Sequence, residues 1–270
     1  MHKGKIGVFD SGIGGLTVLK EIIKELPHQD IIYFGDGKRA PYGTKSKETI
    51  EMFALQSMKF LTEKGADTIV IACNTVSSNA IDIVKKNYPH MPIVEVISTT
   101  ANLASKKTMN KKIGVIGTVA TVDSLTYEKA LMSIDSEIQV FQKACPLFVP
   151  LAEEGLEWWN DDITRMVAAR YFKAFEGIDI DTLVLGCTHY PLLKKAIGET
   201  IGEHVVLVDS ASVTAKDTKA LLKSLGKLSS SKEEGKLEIY TSDSIGKFMN
   251  HCEAILGDCK NFVKKSDIGE

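Results

Sequence analysis

The sequence predicts an α/β fold made of two pseudo-symmetric halves, each a doubly wound and mostly parallel sheet, facing each other across a cleft. Two observations support this prediction. Short β-branched runs alternate along the chain with longer amphipathic segments, a pattern typical of βαβ units. In addition, two segments of the first half recur in the same order in the second half.

The individual elements follow from these patterns. We expect helices over residues 16–26 and 47–64, where apolar residues recur near helical spacing. A solvated loop is expected over residues 228–235, which are rich in Ser, Lys and Glu. The predicted strands are apolar runs at residues 5–9, 31–34, 67–72, 113–117, 137–141, 182–186 and 205–208.

The internal repeat has two parts. Residues 67–75 (DTIVIACNT) and 181–189 (DTLVLGCTH) share Asp, Thr, Val and Cys at matching positions, and residues 6–11 (IGVFDS) match 113–118 (IGVIGT). Either match alone would be ascribed to chance similarity between apolar strands. Because the offsets of 114 and 107 residues are similar and the order is the same, duplication is the better interpretation.

Composition narrows the class of protein. The 33 Lys and Arg against 35 Asp and Glu give a net charge of -2, which favours neither nucleic acid nor a membrane surface as partner. No apolar run has the length of a membrane span, and no signal-peptide core precedes the first strand. Five scattered cysteines without a C-x-x-C pair predict free thiols in the cytoplasm, with neither disulfides nor zinc.

Cys73 and Cys187 occupy equivalent places in the repeat, each just past a predicted strand, where open α/β sheets bind ligands. Small polar residues follow each cysteine and are predicted to open a helix, which would lower the thiol pKa below about 8.5. A single cysteine at such a place is usually a core residue. Two equivalent thiols on opposed halves favour proton transfer at a stereocentre, which needs an acid and a base on opposite faces of one carbon.

The segment DSGIGG (residues 10–15) is a second candidate for the site. A nucleotide-binding turn is one interpretation, with Asp36 about 20 residues further on, but Thr17 occupies the third glycine position of that motif. We interpret the glycines as a tight turn, Ser11 as a donor to the ligand and Asp10 as an acid in a proton relay. A simple capping role for Asp10 stays open.

The remaining histidines and acids give weaker signals. His189 is the one histidine within a motif, while His251 is expected near the surface, and no histidine pair has metal-ligand spacing. Glu153 lies at the end of an apolar run, and this position alone does not indicate a catalytic role. The loop over residues 35–43 is expected to reach the same crevice as the cysteines.

Several motifs together resemble the glutamate racemases of the aspartate/glutamate racemase superfamily. They are DSGIGGL (10–16), PYG (41–43), ACNT (72–75), IGTVAT (116–121), FVPLAEE (148–154) and LGCTHYPL (185–192), and the resemblance extends over about residues 6–243. It implies a cofactor-independent, metal-free racemase that supplies D-glutamate for bacterial peptidoglycan. It also implies two α/β domains, residues 1–97 with 209–270 and residues 98–208, and a possible homodimer.

The resemblance also implies residue roles. Cys73 would serve one face of the α-carbon, assisted by Asp10, and Cys187 the other, assisted by Glu153 and His189. Substrate binding would involve Asp10, Ser11, Tyr42, Gly43, Asn74, Thr75, Thr188 and His189, with Thr118 and Thr121 nearby. Gly37-Lys38 departs from the family pattern and leaves the role of Asp36 open, and residues 94–100 lack the Gly and Pro usual at the domain crossing.

Three alternatives remain at this point. A racemase of the same superfamily acting on aspartate or another amino acid is the nearest. A nucleotide-binding or regulatory module with incidental cysteines is a second, disfavoured by the broken glycine motif. A cysteine-dependent decarboxylase or cis-trans isomerase is a third, disfavoured because both cysteine motifs are intact.

Overall fold

The computed structural model describes residues 4–259 and 262–268, and these form two parallel sheets. The larger sheet has the strand order β10-β9-β2-β1-β3-β4, and the smaller has the order β6-β5-β7-β8. The strands are β1 (Lys5–Asp10), β2 (Asp30–Gly35), β3 (Thr68–Ile71), β4 (Ile93–Glu95), β5 (Lys112–Gly117), β6 (Gln139–Ala144), β7 (Thr182–Gly186), β8 (Val206–Val208), β9 (Leu237–Thr241) and β10 (Val263–Lys265).

Helices cover both faces of each sheet, so the predicted doubly wound α/β class is confirmed. Side chains alternate between the faces along a strand; in β1, for example, Val8 packs in one core cluster and Phe9 in the other. The helices are α1 (Leu16–Glu25), α2 (Lys47–Glu63), α3 (Asn74–Asn79), α4 (Ile81–Asn87), α5 (Val96–Lys107), α6 (Val119–Asp123), α7 (Thr126–Ile134), α8 (Phe148–Glu153), α9 (Leu156–Trp159), α10 (Asp162–Phe172), α11 (Lys194–Ile201), α12 (Ala211–Ser224) and α13 (Ile245–Leu256).

The two sheets share one strand pattern, β2-β1-β3-β4 in the larger and β6-β5-β7-β8 in the smaller. Their pairing registers also correspond. Ile6 pairs with Thr68 and Ile113 with Thr182, which are the positions that the sequence repeat aligns. On the next strand along, Ile69 pairs with Ile93 and Leu183 with Leu207. The structure therefore repeats the same parallel unit twice, as the duplicated sequence predicts.

The described elements differ from the predicted ones mainly at sheet edges. Strand β6 covers Gln139–Ala144 rather than residues 137–141, and it is a half-buried edge strand whose polar residues weaken the apolar signal. Strands β4, β9 and β10 are absent from the predicted set; β4 and β10 have only three residues each, and β10 carries two exposed lysines. Residues 228–235 form the expected loop without helix or strand.

The chain enters the smaller sheet through α5, which begins directly after β4. The Glu95 carboxylate caps this helix by accepting hydrogen bonds from the backbone N–H groups of Ile97 at 2.7 Å and Ser98 at 2.8 Å. A carboxylate at a helix N-terminus is favoured by the helix dipole. In this chain a capped helix start therefore stands where the family usually has Gly and Pro. The predicted division into residues 1–97 with 209–270 and 98–208 stays a prediction, and its outer ends, 1–3 and 269–270, lie outside the described residues.

Candidate active site

Cys73 and Cys187 line one cavity at the carboxyl ends of the strands of both sheets. The cavity measures about 20 Å³, which is room for about one water molecule. Both halves contribute to its wall. The lining residues are Ser11, Ala40, Pro41, Tyr42, Gly43, Cys73, Asn74, Thr75, Thr118, Val149, Glu153, Cys187, Thr188 and His189.

Cys73 is buried at the N-cap position of α3. Its thiol donates a hydrogen bond to Ser11 Oγ at 3.4 Å, and the Val76 amide is also directed at the sulfur. Burial, together with the negative charge of Asp10, nevertheless raises the pKa of Cys73 to about 12. The predicted lowering by a helix N-terminus is wrong for this thiol, because desolvation outweighs the few amides of a six-residue helix.

Cys187 has a different environment. A four-residue 3-10 helix, Tyr190–Leu193, follows it with His189 at the N-cap position, and α11 continues from Lys194. The predicted helix opening after Cys187 is therefore present as a 3-10 helix, whereas the one after Cys73 is an α-helix. The close partner of its sulfur is instead a side chain, since His189 Nδ1 lies 3.7 Å from Cys187 Sγ.

His189 connects Cys187 to Glu153. Its Nε2 lies 3.3 Å from Glu153 Oε1, as an ion pair when the ring is protonated. Burial disfavours the charged ring, but the contacts with Cys187 and Glu153 outweigh burial and raise the pKa of His189 to about 10. Burial likewise opposes ionisation of Glu153, yet His189 lowers the pKa of that carboxyl below its ordinary value. Both partners thus favour the charged pair beside Cys187.

Asp10 connects the two halves through a hydrogen bond beside the cavity. Its Oδ2 accepts a hydrogen bond from the Gly12 amide at 2.9 Å, so Asp10 has the capping role that the sequence left as an alternative. Its Oδ1 accepts a hydrogen bond from Thr188 Oγ1 at 3.1 Å. Asp10 is fully buried and does not line the cavity itself. Close approach requires the neighbouring glycine, because a Cβ at Gly14 would lie 2.4 Å from Thr188 Oγ1.

A second bridge consists of three threonines. Thr75 Oγ1 lies 3.0 Å from Thr118 Oγ1 and 3.5 Å from Thr121 Oγ1, and the latter two lie 3.0 Å apart. Thr118 lines the cavity, whereas Thr121 does not line it and contacts the Thr118 hydroxyl. The hydroxyls come from both halves and can each donate to an anion.

Asn74 presents an unpartnered donor. Its Oδ1 accepts from the Tyr127 hydroxyl at 2.6 Å, which fixes the side chain, and its buried Nδ2 has no hydrogen-bond partner among the residues that the structure describes. Buried donors of this kind are rare, so Nδ2 is a candidate to bind a ligand oxygen. Tyr127 was not predicted, because a tyrosine within a helix gives no local sign of an active-site contact.

The loop after β2 is organised by Asp36, which is fully buried. Its Oδ2 accepts from Arg39 Nε at 2.5 Å and from the Tyr42 hydroxyl, and its Oδ1 accepts from Ser242 Oγ at 2.7 Å. Asp36 thereby holds Tyr42 and Gly43 at the cavity. A Cβ at Gly43 would lie 2.5 Å from Thr118 Cβ, so this loop touches the opposite half.

The predicted site residues are brought together. All line the cavity except Asp10 and Thr121, which contact residues that do. Ala40 and Pro41 also line it, as expected for the loop over residues 35–43, whereas Val149 was not predicted, since an apolar wall residue carries no chemical signal. The expectation that His251 lies near the surface is wrong, because it is 7% exposed and its Nε2 lies 2.8 Å from the Glu153 carbonyl oxygen.

The part of the chain that the structure describes contains no group of three or more His, Cys, Asp or Glu residues able to hold a metal ion. It also contains no helix that is both long and apolar enough to cross a membrane.

Comparison with known proteins identifies the family. A model of the Asp/Glu/hydantoin racemase family matches residues 6–218. The glutamate racemase of Geobacter metallireducens is 46% identical over 93% of this chain and 92% of its own length, and that of Thermoanaerobacter pseudethanolicus is 46% identical over 99% of both. The structure of glutamate racemase from Francisella tularensis in complex with D-glutamate has a TM-score of 0.91, with 38% identity over 98% of both chains. This chain belongs to the Asp/Glu/hydantoin racemase family.

Proposed function

We propose that this protein interconverts L- and D-glutamate, with Cys73 and Cys187 acting on opposite faces of the α-carbon. The observation that carries the proposal is the position of the two thiols, which reach one cavity from equivalent strand ends of two repeated sheets. The similarity to glutamate racemases over nearly the whole chain supports glutamate as the substrate.

The reaction needs two proton transfers. One thiolate removes the α-proton, and the electron pair of the broken C–H bond stays on the substrate. The opposite thiol then donates its proton to the other face, which forms the new C–H bond and leaves that sulfur as a thiolate. Turnover therefore exchanges the protonation states of the two sulfurs, and the reverse reaction uses the same groups in the opposite order.

The two thiols are tuned differently. The raised pKa of Cys73 favours the thiol as resting form and makes the corresponding thiolate a stronger base. This matters because an amino-acid α-proton is far less acidic than an ordinary thiol. Beside Cys187, the charged His189 is the partner that a thiolate requires. The two thiols therefore differ in their surroundings, with Cys73 held as a thiol by burial and Asp10, and Cys187 placed beside a charged histidine.

Substrate carboxylates are bound by uncharged donors in this proposal. Asn74 Nδ2 is a buried donor in the cavity wall without a partner among the described residues, and Ser11, Thr75 and Thr118 add hydroxyl groups. Donors aimed at the α-carboxylate and at the charge that develops on the α-carbon stabilise the transition state most strongly where water is excluded.

The cavity of about 20 Å³ is too small for glutamate. Substrate entry therefore requires the two halves to separate, which breaks the Asp10–Thr188 and Thr75–Thr118 contacts. Closure on the substrate would re-form those contacts and expel water. We further propose that the enzyme acts in the cytoplasm to supply D-glutamate for peptidoglycan, as the bacterial relatives suggest.

The test is a circular-dichroism assay of racemisation over a panel of L-amino acids that includes aspartate, with no cofactor added. We expect loss of optical rotation with glutamate above all others, and loss of racemisation in both Cys73→Ser and Cys187→Ser. Cys145→Ser is the matched control, because Cys145 is buried in the second half but does not line the cavity. Near wild-type racemisation by either active-site variant would contradict the two-thiol mechanism, and preferred turnover of aspartate would contradict the substrate.

A further inference from the structure

Helix α13 buries a histidine against the second half of the molecule. His251 Nε2 lies 2.8 Å from the carbonyl oxygen of Glu153, and Nδ1 lies 3.1 Å from the carbonyl oxygen of Lys247 one helical turn earlier. A carbonyl oxygen only accepts, so the contact with Glu153 is a hydrogen bond in the tautomer that carries the ring N–H on Nε2. The contact with Glu153 is the one that crosses between the halves.

The carbonyl of Glu153 has a particular need for a donor. Glu153 is the last residue of α8, a six-residue helix, and the final carbonyls of a helix have no partner within it. Two residues later Gly155 adopts a φ of 106°, which turns the chain away. A histidine N–H at a helix C-terminus is favourable for both hydrogen bonding and the helix dipole.

Packing alone does not fix the Glu153 side chain. It borders the cavity between the cysteines on one side and a larger cavity of about 360 Å³ on the other. His251 and Lys247 also line the larger cavity. A carboxylate between two cavities has room to turn away from His189, unless its backbone is held in place.

We propose that His251 is a positioning residue for the Cys187 side of the reaction. By anchoring the Glu153 carbonyl, it keeps the Glu153 carboxylate on His189, and His189 in turn faces the Cys187 sulfur. Among the described residues, His251 makes no hydrogen bond with Cys73, Ser11 or Asp10. The inference rests on the proposed two-thiol function.

An effect confined to one thiol has a specific kinetic signature. In one direction Cys187 removes the α-proton, so weakening it makes C–H cleavage more rate-limiting and increases the α-deuterium isotope effect on kcat. In the opposite direction Cys73 cleaves the C–H bond and Cys187 returns a proton. The slower return of the proton by Cys187 then limits the rate more than C–H cleavage by Cys73 does, so the α-deuterium isotope effect on kcat decreases.

The test compares His251→Asn with His251→Gln in the full-length protein. The shorter Asn amide can take the place of Nδ1 beside Lys247 but cannot reach Glu153, whereas Gln can replace the Nε2 donor. We expect His251→Asn to lose about three- to tenfold in kcat, the effect of one hydrogen bond, with isotope effects that move in opposite directions for α-deuterated L- and D-glutamate. His251→Gln is expected to stay near wild type.

Cys252→Ala is the matched control, because it removes a buried side chain from the same helix without changing the contact with Glu153. If His251→Asn does not fold, His251→Phe takes its place, since it retains the ring volume but no N–H donor. Unchanged isotope effects, or effects that move together for both enantiomers, overturn the positioning role. The proposed function fails separately, and visibly, if Cys187→Ser retains racemisation.

Discussion

Asp10 and Thr188 are joined across the cleft by a hydrogen bond of 3.1 Å between a buried carboxylate and a threonine hydroxyl. Asp10 is the last residue of strand β1 in the larger sheet and raises the pKa of Cys73, while Thr188 directly follows Cys187. One contact therefore links the surroundings of the two thiols. It also ties the electrostatics of Cys73 to closure of the cleft, because separation of the halves removes the Thr188 donor from Asp10.

Thr188→Val removes this hydrogen bond while keeping the side-chain shape. A hydrogen bond to a charged group is worth about 1.5–3 kcal/mol, so we expect kcat/KM for glutamate to fall by about tenfold or more. Steady-state kinetics measure the loss, and small-angle scattering is expected to show a more open molecule. Thr126→Val is the control, since the Thr126 hydroxyl also crosses the halves, to the Ser78 carbonyl, but away from the cysteines. Equal losses in both variants would contradict a special role for Thr188.

Gly43→Ala should hinder closure itself. The added Cβ would lie 2.5 Å from Thr118 Cβ, a distance that only displacement of the loop or of the opposite half relieves. We expect KM for glutamate to rise severalfold while the melting temperature stays within a few degrees of wild type. Gly246→Ala is the control, because a Cβ there meets no atom within 4 Å. An unchanged KM in Gly43→Ala would show that the contact between loop and Thr118 is not needed for binding.

Asp10→Asn is expected to lower the pKa of Cys73. The carboxylate is a negative charge that opposes formation of the thiolate, so removing it shifts ionisation to lower pH, while burial continues to raise the pKa. Alkylation of Cys73 followed by mass spectrometry between pH 7 and 11 should show a profile displaced to lower pH by about one unit.

Thr126→Val serves as the control for that experiment, because it removes a hydrogen bond between the halves away from the cysteines and retains the charge of Asp10. It is expected to leave the pH profile of Cys73 alkylation where it is in the wild type. A profile in Asp10→Asn that coincides with wild type would mean that burial alone sets the acidity of Cys73.

Asp36→Ala is expected to destabilise the fold as well as the site. It leaves the Arg39 guanidinium, which packs over the Phe53 ring, without its carboxylate partner. Breaking a buried ion pair from one side costs about 3–5 kcal/mol, measurable by urea unfolding. The double variant with Arg39→Met should recover much of that loss but not the activity, because Tyr42 remains unanchored. Stability of Asp36→Ala within about 1 kcal/mol of wild type would contradict this role.

The central strands and the cysteine pair were predictable because they depend on local pattern. Strand β7 coincides with its predicted range, and the buried strand before Cys73 differs by two residues or fewer at each end. The repeat placed both thiols correctly at strand ends, since register within a parallel sheet follows directly from matched apolar positions. Chemically distinctive side chains such as His189 were identified by their motifs.

Contacts that depend on distant parts of the chain were not predictable. His251 meets Glu153 only because the fold brings α13 beside the end of α8, which lies almost a hundred residues earlier. The acidity of Cys73 was predicted in the wrong direction, because a helix start is visible in sequence whereas complete burial beside Asp10 is not. The role of Asp36 stayed open in the sequence because Gly37-Lys38 departs from the family pattern, and one of its partners is Ser242, more than two hundred residues further along the chain.

The matched registers of the two sheets have a consequence for how this protein tolerates change. The position of each thiol depends on the pairing register of the strand before it. Thr68, which pairs with Ile6, and Thr182, which pairs with Ile113, precede their cysteines by the same number of residues. Insertions or deletions in the outer connections do not change this register, whereas a single residue added between Thr68 and Cys73 would turn the thiol toward the opposite face of its sheet. The spacing inside two short strands, rather than the length of any loop, is what the reaction requires this chain to preserve.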